Sequence, residues 1–159
     1  MEFEMFLKDD VRDLFKNRFV LFLGDSIIRD VYKDFVWLRE KGNLIPHEKL
    51  REFDREKKTA PSSLVTSERL VEGTGLLKED LAKGKLKTST HWSNIELSGR
   101  EYREEREYRG SDDHPTLTRF YFLTKCWSDH LKKFLLRVKK DDGDPNLIMI
   151  LSCLWDINR

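Results

Sequence analysis

The sequence predicts an α/β domain, a three-layer sandwich with a mainly parallel sheet, and three observations carry that expectation. Five apolar residues, Phe19-Val20-Leu21-Phe22-Leu23, run without a break into Gly24-Asp25-Ser26, as a short buried parallel strand ending in a tight turn would. Two later runs, Thr118 to Cys126 and Asn146 to Ser152, have the same strand-like character. Helix-periodic segments separate these strands, so helices are expected to cover the sheet on both faces.

Taken in order, Asp9 to Lys16 reads as a short helix, with aspartates near its start and an apolar edge of Val11, Leu14 and Phe15. After the first strand, Ile27/Ile28, Val31/Tyr32, Phe35/Val36 and Leu38 form one helical stripe. Arg29, Asp30, Lys33, Asp34, Arg39 and Glu40 are expected mostly on its other side, and Gly42-Asn43 closes the helix. Residues 47–66 and 74–98 read as charged insertion loops, the first holding an exposed amphipathic helix. Arg69 to Gly73 is expected as a short strand with Gly73 and Gly75 in the turn beyond it.

Arg100 to Arg109 alternates as a strand would, and its four arginines match four glutamates. It is therefore expected as a solvated, salt-bridged strand or hairpin and not as a nucleic-acid stripe. Trp127 to Lys140 reads as a helix burying Leu131, Phe134, Leu135 and Val138, and Asp141 to Pro145 as a turn. No internal repeat is visible.

Bulk numbers narrow the function classes. A chain of 159 residues is one domain by prior, and 37% charged residues demand a densely charged surface. Thirty basic against 29 acidic residues argue against nucleic acid or a polybasic membrane anchor as partner. No run is long enough for a signal peptide or a membrane span. Cys126 and Cys153 read as buried thiols in a reducing compartment, so a cytoplasmic or nuclear location is expected. No metal-ligand spacing and no nucleotide-binding motif is present.

Ser26 stands between a strand's C-terminal end and a helix's first turn, where open α/β sheets bind ligands and free N–H groups favour negative charge. It reads either as a nucleophile with its own N–H at the oxyanion or as an ordinary N-cap. Asp25 is expected to order the turn. Arg29, three residues on, reads as an anion contact or a structural ion pair, the pair being the commoner outcome.

Gly24-Asp25-Ser26 after an apolar strand is similar to the first block of the GDSL/SGNH hydrolases. The longer string through Ile27-Ile28-Arg29-Asp30-Val31-Tyr32-Lys33-Asp34 resembles the PC-esterase domain-containing proteins, as do Arg119 to Thr124 and Ser152-Cys153-Leu154-Trp155-Asp156. That resemblance implies an acyl esterase acting on an ester or acylated substrate without a cofactor, with Ser26 as nucleophile. It implies a second oxyanion donor at Gly73 or Gly75, and substrate contacts from Asp25, Arg29, Ser152 and Asp156. The family's third donor is an asparagine where this chain has Leu151, so either a backbone N–H or Ser152 substitutes or that donor is lost. Its Asp-x-x-His has no match, since none of His47, His91, His114 or His130 follows an aspartate by three. His130, in the first turn of a helix after a strand, is the fallback base.

Two functions are therefore carried forward: a weak or inactive serine esterase-like domain, and a non-catalytic module that keeps the serine turn. The whole chain reads as a single SGNH-like domain lacking its C-terminal part. An exposed sheet that a protein partner would cover is expected.

Overall fold

The computed structural model describes residues 8–49, 64–73, 104–123 and 127–151. They form helix α1 (Lys8–Leu14), strand β1 (Arg18–Gly24), helix α2 (Ser26–Lys41), β2 (Glu68–Gly73), β3 (Glu104–Arg109), β4 (Thr116–Phe122), helix α3 (Asp129–Asp141) and β5 (Leu147–Leu151). One five-stranded sheet has the order β2-β3-β4-β1-β5. Its core is parallel, β1 pairing with β4 on one side and β5 on the other. β2 and β3 add an antiparallel extension beyond β4, so the sheet is mixed.

Alternation along β1 splits the core into two layers. Val20 and Phe22 pack with Ile28, Tyr32 and Val36 of α2, and with Phe120, Phe122 and Tyr108. Phe19, Leu21 and Leu23 pack on the opposite face with Leu131, Phe134 and Val138 of α3. Tyr121 stacks on Phe134 at 4.4 Å between centroids, a contact worth about 0.5–1.5 kcal/mol beyond its area. The three-layer α/β arrangement is thus as the sequence predicts. Among the described residues, no helix is long and apolar enough to cross a membrane.

Three expectations need correction. The buried face of α2 is rotated: Lys33 and Arg39 are buried, whereas Ile27 and Val31 are 51% and 39% exposed. Arg39 is held by the carbonyls of Val11 (3.1 Å) and His114 (3.3 Å), which replace the water a guanidinium needs. Leu64 and Val65, assigned to a charged loop, pack into the core beside α2. Residues 104–109 form a strand, but a buried one, because neighbouring elements supply a partner for each charge. The exposed part of the sheet that the sequence leads one to expect is β5, whose residues Leu147 to Ile150 are exposed. Most of both insertion loops, together with Cys126, lies outside the described residues.

Candidate functional site

β1 ends at Gly24 because nothing larger fits. A Cβ there would stand 2.5 Å from the Leu151 carbonyl oxygen and 2.5 Å from Ile28 Cγ1. This close approach lets the tips of β1 and β5 meet, with Gly24 in register with Leu151. The next residue, Asp25, is 3% exposed and is the N-cap of α2. Its Oδ1 accepts from the Ile27 N–H at 2.9 Å, and its carbonyl accepts from the Arg29 N–H at 3.0 Å. Such a cap is worth about 1 kcal/mol. It also decides a question the sequence leaves open: the cap is Asp25, and Ser26 is the first helical residue, with its side chain in solvent.

Arg29 turns from Ser26 toward the sheet. Its Nη1 donates to Glu104 Oε2 at 3.2 Å, its guanidinium lies 5.7 Å from the Phe122 ring centre, and its side chain is 12% exposed. Of the two readings offered for this residue, the structure has the ion pair. Glu104 is also bonded by Arg106 Nε, and Arg106 Nη1 reaches Glu68 Oε2 at 3.2 Å. Glu68 in turn accepts from the Leu64 N–H at 2.6 Å. Burial would lower the Arg106 pKa, but Glu104 and Glu68 more than reverse this and hold it above the ordinary arginine value. Tyr32, beneath this chain of charges, is raised well above its ordinary value, first by burial and then by the nearby Glu68 carboxylate. Lys33, one turn beyond Arg29, is lowered by burial and by the Arg29 charge. The junction therefore rests on a buried ionic chain reaching from α2 across β3 to β2.

The other candidates are dispersed. Gly73 closes β2 at the same end of the sheet, paired with Glu104. However, β3 and β4 stand between β2 and β1, a separation of about 14 Å at ordinary strand spacing, so Gly73 is not beside Ser26. His130 is exposed in the first turn of α3, which Ser128 caps through the Leu131 N–H at 3.1 Å. It lies toward the same end of the sheet as Ser26, but α3 and α2 cover opposite faces. Leu151 sits at the tip of β5 beside Gly24 and packs against the α2-side core. A polar side chain there would lie next to the serine turn; leucine offers no donor. Gly75, Ser152, Cys153 and Asp156 lie outside the described residues.

Glu104, Phe122 and Glu68 were not singled out in the sequence. The Glu104-x-Arg106 spacing, which sets acid and base on one strand face, was the signal available for the first of them. No group of three or more potential metal ligands occurs among the described residues.

The chain is similar to several curated proteins over nearly all its length. Human (Homo sapiens) PC-esterase domain-containing protein 1B is 37% identical over 150 residues, which are 94% of this chain and 28% of that protein. The Rattus norvegicus 1B protein is 34% identical over 153 residues, 96% of this chain and 29% of the relative. Mus musculus PC-esterase domain-containing protein 1A is 34% identical over 154 residues, 97% and 28% respectively. The chain thus spans less than a third of the length of the curated relatives it matches. No protein-family model matches it. No solved structure matches it either.

Proposed function

We propose that this chain, which belongs to the PC-esterase domain-containing protein family, carries a serine acyl-esterase site of the GDSL/SGNH type at the β1–α2 turn, with low turnover. The observation that carries this reading is the division of labour at the turn. Asp25 caps the helix, so the adjacent Ser26 hydroxyl is left in solvent at the C-terminal edge of the sheet. In this reading Ser26 Oγ attacks the acyl carbonyl of an ester, and its own N–H at the head of α2 holds the oxyanion. The alcohol leaves, and water then releases the acid from the acyl-serine.

Low turnover follows from two features. A serine hydroxyl is a poor nucleophile near neutral pH without a placed base, and only His130 is kept here as a fallback for that role. Leu151, beside the turn, offers no third oxyanion donor, and one such donor is worth roughly 100-fold to 1,000-fold in rate in comparable chemistry. Leucine at this position also favours a second reading, a non-catalytic module that retains the serine turn to bind an anion or a partner.

Turnover of a short-chain aryl ester by the purified chain separates the two. Slow hydrolysis should vanish in Ser26→Ala with unchanged far-UV circular dichroism, and should rise roughly tenfold to 100-fold in Leu151→Asn. Full activity in Ser26→Ala would remove Ser26 from the chemistry. No turnover in either the wild type or Leu151→Asn would leave the binding module.

A further inference from the structure

We propose that Glu104 is a positioning residue for Ser26: through its bond to Arg29 it ties the first turn of α2, and with it the serine, to the antiparallel part of the sheet. The proposal rests on the esterase reading of Ser26.

The first turn of α2 needs such a tie. The leading N–H groups of a helix have no partner within it, so the turn frays unless something outside holds it. Asp25 accepts from the Ile27 and Arg29 N–H groups at 2.9 Å and 3.0 Å, but this cap is local. It fixes the shape of the turn and not its place over the sheet. The turn holds no acidic side chain, and the first charged residue of the helix is the cation Arg29. A cation near the positive end of a helix is unfavourable unless a carboxylate faces it. Its neighbour Asp30 comes only within 3.9 Å and is 56% exposed. The close, buried carboxylate is brought by β3.

The row of residues beneath the turn shows where the tie leads. Gly24 of β1 is in register with Phe122 of β4. One step beyond the pair Glu105–Tyr121, Phe122 faces Glu104 of β3, and Glu104 is in register with Gly73 of β2. The Phe122 ring is a surface over which a long side chain from α2 can reach the next strand. Arg29 does this, with its guanidinium 5.7 Å from the ring centre and its Nη1 donating to Glu104 Oε2 at 3.2 Å. Glu104 is 1% exposed, which keeps solvent from weakening the bond. Glu104 is itself fixed, because Arg106 Nε donates to its Oε1 and Arg106 Nη1 reaches Glu68 of β2. One carboxylate thus joins a guanidinium from the helix to one from the strand. Through it, the place of β3 in the sheet sets the place of the turn that begins with Ser26. Reaction geometry is sensitive at this scale: a misplacement of about 1 Å can cost roughly 100-fold in rate.

Labelling of Ser26 by a fluorophosphonate at neutral pH, followed over a range of reagent concentrations, separates the limiting rate from the apparent affinity. Glu104→Gln should lower the limiting rate about tenfold to 100-fold and leave the apparent affinity unchanged. Glu107→Gln removes a comparably buried carboxylate from the opposite face of the same strand and should leave both values as in the wild type. Glu104→Gln also leaves Arg29 buried without this carboxylate, so the double variant Arg29→Met/Glu104→Gln is the second test. It removes both charges. A rate that stays low shows that the tie itself matters, whereas recovery of the wild-type rate would overturn the proposal. Amide hydrogen exchange needs no chemistry at Ser26. In both variants the Ile27 and Arg29 N–H groups should exchange about tenfold faster relative to those of Lys132 and Asp142 in and after α3, on the other face of the sheet. Faster exchange in a chain whose wild type takes no label would keep the positioning role and reject the esterase reading. A labelled wild type whose Glu104→Gln variant labels equally fast, or exchange unchanged in both variants, would overturn the positioning role.

Discussion

Strand β3 has five charged residues among its six and lies buried between β2 and β4, whereas β5 has five apolar residues and stands exposed at the other side of the sheet. Glu104, Glu105, Arg106 and Glu107 are all at most 3% exposed; each β5 residue from Leu147 to Ile150 is at least 38% exposed. The difference lies in what surrounds each strand. β3 is flanked by strands on both sides, and each of its glutamates meets arginines, at least one of them from another element. Arg29 and Arg106 hold Glu104; Arg119 and Arg137 hold Glu105. Arg119 (2.8 Å), Arg69 (3.0 Å) and Arg109 (2.8 Å) hold Glu107. β5 has β1 on one side and no described strand on the other. Position in the sheet, not composition, assigns burial here, and charge is tolerated inside only because it is paired.

The largest effect should come from breaking one of those pairs. Arg106→Met leaves Glu68 and part of Glu104 buried without their cation and should lower unfolding free energy by about 3–5 kcal/mol, measured by urea denaturation. Adding Glu68→Gln should recover part of that loss, because Glu104 keeps Arg29. A loss below about 1 kcal/mol would show that the strand's charges are hydrated and the contrast with β5 is false.

An intermediate effect should appear with acid. Burial raises the pKa of Glu107, but the bonds from Arg69 and Arg109 and the Arg119 charge outweigh it, so its folded value lies below the ordinary one. The unfolded chain then takes up this proton first. The contribution of Glu107 is complete above about pH 4.3, the ordinary glutamate value, and is lost as pH falls through the lower folded value. Urea midpoints should therefore fall in that window, and Glu107→Gln should flatten the fall; a slope unchanged by Glu107→Gln would contradict it.

The smallest effect should be at β5. Ile150→Lys should change stability by no more than about 0.5 kcal/mol, although it places a charge in the most apolar strand. A loss of several kcal/mol would mean that β5 is covered after all.

Much of this fold is legible in the sequence, and the comparison explains where legibility stops. The continuous run of β1, the helical stripe of α3 and the αL cap at Gly42 are local signals, and the structure follows them. The adjacency of β1 and β5 follows from two apolar strands that each end in polar turns. The burial of β3 is not legible, because Arg29 lies 75 residues from Glu104 and no window along the chain contains both. The rotation of α2 fails for a related reason. A helical wheel finds the stripe but not which border of it is covered, and here a charged network took the border carrying Lys33 while Ile27 and Val31 were left out. At the turn, Asp25 and Ser26 are both good caps, and only the backbone decides that Asp25 takes the role.

The central claim is that the residue released from capping is the reactive one. Incubation of the folded chain with a fluorophosphonate, followed by peptide mass mapping, tests this directly. The account predicts slow, single-site phosphonylation at Ser26, absent from Ser26→Ala and faster in Leu151→Asn. A folded chain that takes up no label in either form, or carries it on another residue, would contradict it.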